Sequence, residues 1–181
     1  PERLDQRQLL RSTWLRNATN YAFLMTSNLH LQSQIVEESR ANGDIIQVKE
    51  LVNATLEVVV LIHWAHTRCT ADSIPFVLQC QDDVYVNVAN LLQMIDNLDG
   101  EEERIYGSRR SISADDELDQ LRSQVSYEVW PWSNFPTQHL LLPGAFLVTG
   151  TALTFLLAAA QTTPYFILDE IYFSGLLCSR H

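Results

Sequence analysis

Short apolar runs alternate along this chain with longer stretches whose apolar residues recur at helical spacing. Leu4 to Trp14 sets Leu4, Leu9, Leu10 and Trp14 among Arg3, Arg7 and Arg11, which suits a helix with one basic side. Tyr21 to Thr26 reads as a strand. Leu31 to Ala41 reads as a helix stopped by Asn42-Gly43, and Asp44 to Val48 as a second strand. Asn53 to Ala65 is apolar around much of its circumference, as a buried crossover helix would be, and leads to a strand at Phe76, Val77 and Leu78. Val88 to Leu98 has amphipathic spacing and closes on Asp99-Gly100. Glu101 to Glu103 reads as a solvated turn, Arg104 to Gly107 as a strand, and Ser108 to Gln124, polar and without a period, as a surface loop. Ala145 to Thr149 is a strand, Thr151 to Gln161 a helix, and Thr162-Thr163-Pro164 its break. Strands alternating with helices predict an α/β fold with a mostly parallel central sheet.

Composition narrows the classes. The 181 residues, 46% apolar and 19% charged, suit one globular domain with a real core. A net charge of −10 argues against nonspecific nucleic-acid binding, which depends on Lys and Arg neutralising phosphates. The most apolar run, Leu140 to Ala160, is interrupted by Pro143, Gly144 and Gly150, so it reads as a core strand and helix rather than a membrane span. Cys69, Cys80 and Cys178 include no Cys-x-x-Cys pair, which argues against zinc. Asn17-Ala18-Thr19 and Asn53-Ala54-Thr55 are sequons that would accept a glycan in the secretory pathway.

Candidate chemistry begins where the strand at Phe76 ends. Asp82 and Asp83 stand at its carboxyl end, the edge at which open α/β sheets bind ligands. Adjacent carboxylates repel unless a cation neutralises them, and hard divalent cations prefer oxygen ligands, so a diphosphate carried by a metal is a natural guest. The alternative is that both acids merely cap the helix that follows. A second acidic pair, Asp169-Glu170, lies near the end of the sequence. Trp130, Trp132 and Phe135 alternate with Pro131 and Pro136, a pattern that suits either a platform for stacking a sugar ring or packing beneath a loop. Gly144 marks a place where a ligand or another backbone could approach closely. His63 and His66 are a helical turn apart, but histidines beside a packed Trp64 are more simply structural.

The order of these motifs resembles the beta-1,3-galactosyltransferase family, which includes beta-1,3-N-acetylglucosaminyltransferases and Fringe-like enzymes. The family's Arg-x-x-Ile-Arg-x-Thr-Trp is similar to Arg7 to Trp14, its Gly-Asp-Ile-Ile to Gly43 to Ile46, and its Asn-Leu-Thr-Leu-Lys to Asn53 to Glu57. Its Trp, Cys and Phe ahead of the acidic motif match Trp64, Cys69 and Phe76. Asp-Asp-Asp-Val-Phe-Val-Asn corresponds to Gln81 to Asn87. Tyr-Pro, Gly-Tyr-Val-x-Ser and Glu-Asp-Val-x-x-x-Gly resemble Phe135-Pro136, Ala145 to Thr149 and Asp169 to Gly175.

The resemblance implies a GT-A fold, a single catalytic domain over residues 1–181, a UDP-sugar donor, manganese or another divalent cation, and a glycan acceptor on a glycoprotein or glycolipid. It implies a lumenal domain of a type II Golgi membrane protein, with the anchor and the family's first strand preceding this chain. By the same resemblance Asp83 would hold the metal, Asp82 would help position metal or ribose, Gln81 would contact the ribose or a water, and Arg11 would lie near the donor phosphates. Glu170, preceded by Asp169, aligns with the catalytic base, while Trp130, Trp132 and Gly144 would face substrate. Three departures weaken the pattern. Gln81 replaces an acid, Glu57 a lysine, and Glu170 the base aspartate with one methylene more. They favour, as the alternative, a catalytically silent Golgi relative that binds nucleotide or glycan or scaffolds other transferases.

Overall fold

The computed structural model describes residues 2–18, 20–49, 54–68, 74–111, 115–131 and 139–178. Thr19, Asn53, Cys69, Trp132, Phe135 and Pro136 lie outside the described residues. The chain divides into two compact units, residues 1–52 with 81–98, and residues 53–80 with 99–181.

In the first unit, α1 (Leu4–Ser12) buries Arg7 and Leu10, and a 3-10 turn (Trp14–Asn17) buries Leu15. Strand β1 (Phe23–Thr26) runs parallel to β2 (Ile45–Val48), with Phe23 opposite Ile45 and Thr26 opposite Val48. The helix between them, α2 (Gln32–Asn42), turns Ile35 and Glu38 inward. It ends where the sequence predicts. Gly43 takes a left-handed φ of 70° and its amide reaches the Ser39 carbonyl at 2.8 Å, a conformation that costs a residue with a Cβ and not glycine. Helix α3 (Ala54–Arg68) belongs to the second unit, while α4 (Val88–Ile95) returns to the first.

The second unit departs from the parallel expectation. Strands β3 (Phe76–Cys80) and β4 (Ile105–Ser111) are both antiparallel to the long β5 (His139–Thr149), which lies between them. Among the described residues only the β1–β2 pair is parallel. Alternation of helices and strands along the chain predicts crossovers, but it does not say that a later strand enters between two earlier ones and reverses the pairing.

A second expectation is also corrected. Residues 108–124 are not a continuous loop, because β4 runs on to Ser111 and α5 spans Asp115–Ser123. Leu121 packs against the core and Val125 is buried, so a few apolar positions suffice to anchor a mostly polar helix.

The core of this unit is Ile62 and Ala65 of α3, Phe146 and Val148 of β5, and Leu153 and Leu156 of α6 (Gly150–Thr162). Thr149, fully buried, caps α6 by accepting the Ala152 amide and also accepts the Arg104 amide at 3.0 Å. No helix among the described residues is long and apolar enough to cross a membrane.

Candidate functional site

After β3 the chain turns tightly, with the Val84 amide reaching the Gln81 carbonyl at 3.3 Å. Gln81 and Asp83 are exposed and Asp82 is half-buried. Asp82 is held twice. Arg3 Nη1 donates to its Oδ1 at 2.5 Å, and Gln6 Nε2 donates to its backbone carbonyl at 2.9 Å. Asp83 takes part in neither bond. The helix-capping alternative is answered by another residue, since Asn87 accepts the Asn90 amide at 3.1 Å and caps α4.

Two adjacent carboxylates supply the hard oxygen donors that a divalent cation takes. Among the described residues no three His, Cys, Asp or Glu side chains gather around one point. Asp82 and Asp83 are the residues that would hold a divalent cation at this turn, with Asp82 Oδ1 shared with Arg3.

The arginines of α1 have other partners. Arg11 donates to Asp44 through Nε at 2.7 Å and Nη2 at 2.8 Å, and Nη2 also lies 2.8 Å from Glu38. Arg7 forms the same kind of two-pronged pair with Glu38, at 2.9 and 2.6 Å. Arg11 also sits over the Phe23 ring, 4.9 Å from its centroid. Its hydrogen bonds to Asp44 push its pKa up, the Arg7 bonds pull Glu38 down, and burial beside Asp44 raises Tyr21. An incoming phosphate would have to compete with two carboxylates for Arg11. Two motifs distant in sequence, Arg7 to Trp14 and Gly43 to Ile46, therefore meet as one ionic network.

In the second unit, Asp169 and Glu170 are half-buried and open a short helical turn, α7 (Asp169–Ile171), that widens directly into a π-helical turn (Tyr172–Leu177). Such widened turns recur at functional sites. Ile171, Tyr172 and Phe173 are buried beneath the acids, and Phe173 stacks on Phe146 at 4.7 Å. Upstream, Thr55 Oγ1 donates to the Phe166 carbonyl at 2.9 Å, with the Ile167 carbonyl at 3.4 Å. Downstream, the Leu141 amide donates to Ser174 Oγ at 2.9 Å.

Trp130 is half-buried and meets Phe166 edge-on at 5.5 Å, so this tryptophan packs on the segment that leads to the acids. Gly144 lies within β5 where the register against β4 slips, with Gly107 opposite Phe146 but Arg109 opposite Leu141. Pro143 has no amide to give the ladder there, which accounts for the break. His63 is exposed, and Trp64 beside it packs against the core. Burial pushes the Cys178 thiol up to about 11, which leaves it protonated and unreactive near neutral pH.

Thr55, Ser174, Asn87 and Gln6 are absent from the sequence-based candidates. Asn87 was the legible one, an N-cap residue immediately before an apolar run. The others act through partners 33 to 112 positions away, which no local pattern reveals.

The model of the galactosyltransferase family matches residues 5–181. The chain belongs to the galactosyltransferase family. It is 26% identical over 204 residues to the human acetylgalactosaminyl-O-glycosyl-glycoprotein beta-1,3-N-acetylglucosaminyltransferase, a match covering 100% of this chain and 52% of that protein. Two rat relatives are also similar. Identity is 24% to UDP-GlcNAc:betaGal beta-1,3-N-acetylglucosaminyltransferase 7 (93% of this chain, 46% of the relative) and 23% to beta-1,3-galactosyltransferase 4 (95% and 56%). The chain thus spans about half the length of the curated relatives it matches.

Proposed function

We propose that this chain is the catalytic part of an inverting, metal-dependent beta-1,3-glycosyltransferase of GT-A type, moving galactose or N-acetylglucosamine from a UDP-sugar to a glycan acceptor. The reading places it in the Golgi lumen, carried by a type II membrane anchor. The observation that carries it is the acidic turn. Arg3 and Gln6 engage Asp82 and Asn87 caps α4, so Asp83 is left exposed with no part in these contacts.

Glu170 is the general base of this reading. Its carboxylate takes the proton of an acceptor hydroxyl as that oxygen bonds to the anomeric carbon from the face opposite the diphosphate. The carbon–oxygen bond to the diphosphate breaks with its electron pair, UDP departs, and the configuration inverts. A divalent cation held by Asp83 with Asp82 would offset the charge on the departing diphosphate. Trp130, Trp132 and Gly144 are assigned to the sugar or acceptor.

Titration calorimetry of UDP against the full-length protein, with and without manganese, tests this. Metal-dependent binding that disappears in Asp83→Ala supports the reading, and folded protein that binds no UDP under either condition overturns it. The Arg3–Asp82 ion pair favours a second reading, a silent relative, because a cation would have to displace Arg3 from Oδ1 to use both oxygens of Asp82. UDP or glycan binding with no sugar transfer would identify that case.

A further inference from the structure

We infer that Thr55 is a positioning residue for Glu170. It fixes the backbone just ahead of the acidic pair from the first turn of α3, more than a hundred positions earlier in the chain. The inference rests on the reading of Glu170 as the base.

Thr55 is 1% exposed, so its hydroxyl has no access to water and must find its partner inside the protein. That partner is a three-centre arrangement, with the Phe166 carbonyl at 2.9 Å and the Ile167 carbonyl at 3.4 Å. Two residues beyond these carbonyls the acids begin. The Tyr172 amide closes the turn on the Leu168 carbonyl at 2.8 Å, so displacement of 166–168 passes directly into Asp169 and Glu170. Other contacts limit where that displacement could go. Phe166 is 3% exposed and meets Trp130, Ile171 is fully buried, and Ser174 is tied to β5 through Leu141. With the downstream end fastened to the sheet, Thr55 holds the upstream end from α3.

The test compares Thr55→Val, which keeps the shape and removes the donor, with Thr55→Ser, which keeps the donor, in full-length protein carrying Asn53→Gln throughout, so that no variant differs in the sequon at Asn53. Two readouts are taken. The first is amide hydrogen exchange resolved to residues 166–173 and 145–149. Thr55→Val should speed exchange at 166–173 by about tenfold, the scale of one buried hydrogen bond, and leave 145–149 unchanged, with Thr55→Ser close to wild type. The second is sugar transfer from UDP-galactose and from UDP-N-acetylglucosamine to p-nitrophenyl glycosides. Thr55→Val should lower kcat by up to about a hundredfold with donor KM nearly constant, because a base displaced by about 1 Å loses rate and not donor affinity. Thr55→Ser should recover most of kcat.

Unchanged exchange at 166–173 in Thr55→Val overturns the inference, as does acceleration spread equally over 145–149. A fall in kcat that Thr55→Ser does not recover also overturns it. If wild-type protein transfers neither sugar, the proposed function falls instead, and the exchange result still decides whether Thr55 holds the segment.

Discussion

Arg11 clasps Asp44 through two parallel hydrogen bonds, Nε to Oδ2 at 2.7 Å and Nη2 to Oδ1 at 2.8 Å. The pair joins α1 to the residue that precedes β2. Both side chains are largely shielded from water, at 12% and 7% exposure, so removing either one strands a charge. Arg11→Met should destabilise the protein by about 3 to 5 kcal/mol, the range for breaking one half of a buried pair, as read by urea unfolding. UDP affinity of the fraction that remains folded should change little. A selective loss of UDP binding with stability intact would assign Arg11 to the donor site.

Glu38 gives a pH signature. Its hydrogen bonds from Arg7 hold the folded pKa below the unfolded value of about 4.3. The stabilisation is therefore complete above the unfolded value and lost as pH falls through the lowered folded one. Urea unfolding between pH 6 and 3, about the range in which carboxylates titrate, should show an acid decline that is shallower in Glu38→Gln, which is itself less stable at neutral pH. Identical slopes in the two proteins would remove Glu38 as the source.

Asn87 and Asp83, four positions apart, should separate cleanly. Asn87→Ala removes the cap of α4 and should cost about 1 kcal/mol of stability while leaving manganese-dependent UDP binding in place. Asp83→Ala should do the reverse, with a melting temperature near wild type and no metal-dependent binding. Thermal unfolding and calorimetry on the same samples decide it, and a shared pattern in both variants would mean the turn acts only as structure.

For Glu170, the expectation is that Glu170→Gln lowers transfer by about a hundredfold to ten-thousandfold with UDP affinity retained, as loss of a general base does. Equal kcat in wild type and Glu170→Gln would place the base elsewhere.

Much of the element order was legible because burial writes a period into the sequence. The α2 stop at Gly43 and the strand at Phe76 were read from local residues alone, and the structure places them there. The sheet's sense was not legible, since a strand's pattern records which faces are covered and says nothing about the direction of its neighbour. Helix α5 was hidden for a related reason. One turn of it is held by Leu121, too little apolar content to stand out from a polar stretch. At the candidate site, the acids could be named from sequence, but the residues that hold them could not. Gln6 reaches Asp82 across 76 positions and Thr55 reaches Phe166 across 111, and only folding brings such pairs together.

The placement of β5 between β3 and β4 has a consequence for biosynthesis. A ribosome makes β3 and β4 well before it makes the strand that joins them, so for the span of some thirty residues separating Ser111 from His139 two strand edges wait with their amides and carbonyls unmatched. Until β5 arrives the described strands of this unit have no partner to pair with, and a transcript or protease that ended the polypeptide before His139 would leave two unjoined strands prone to aggregate rather than a smaller working domain.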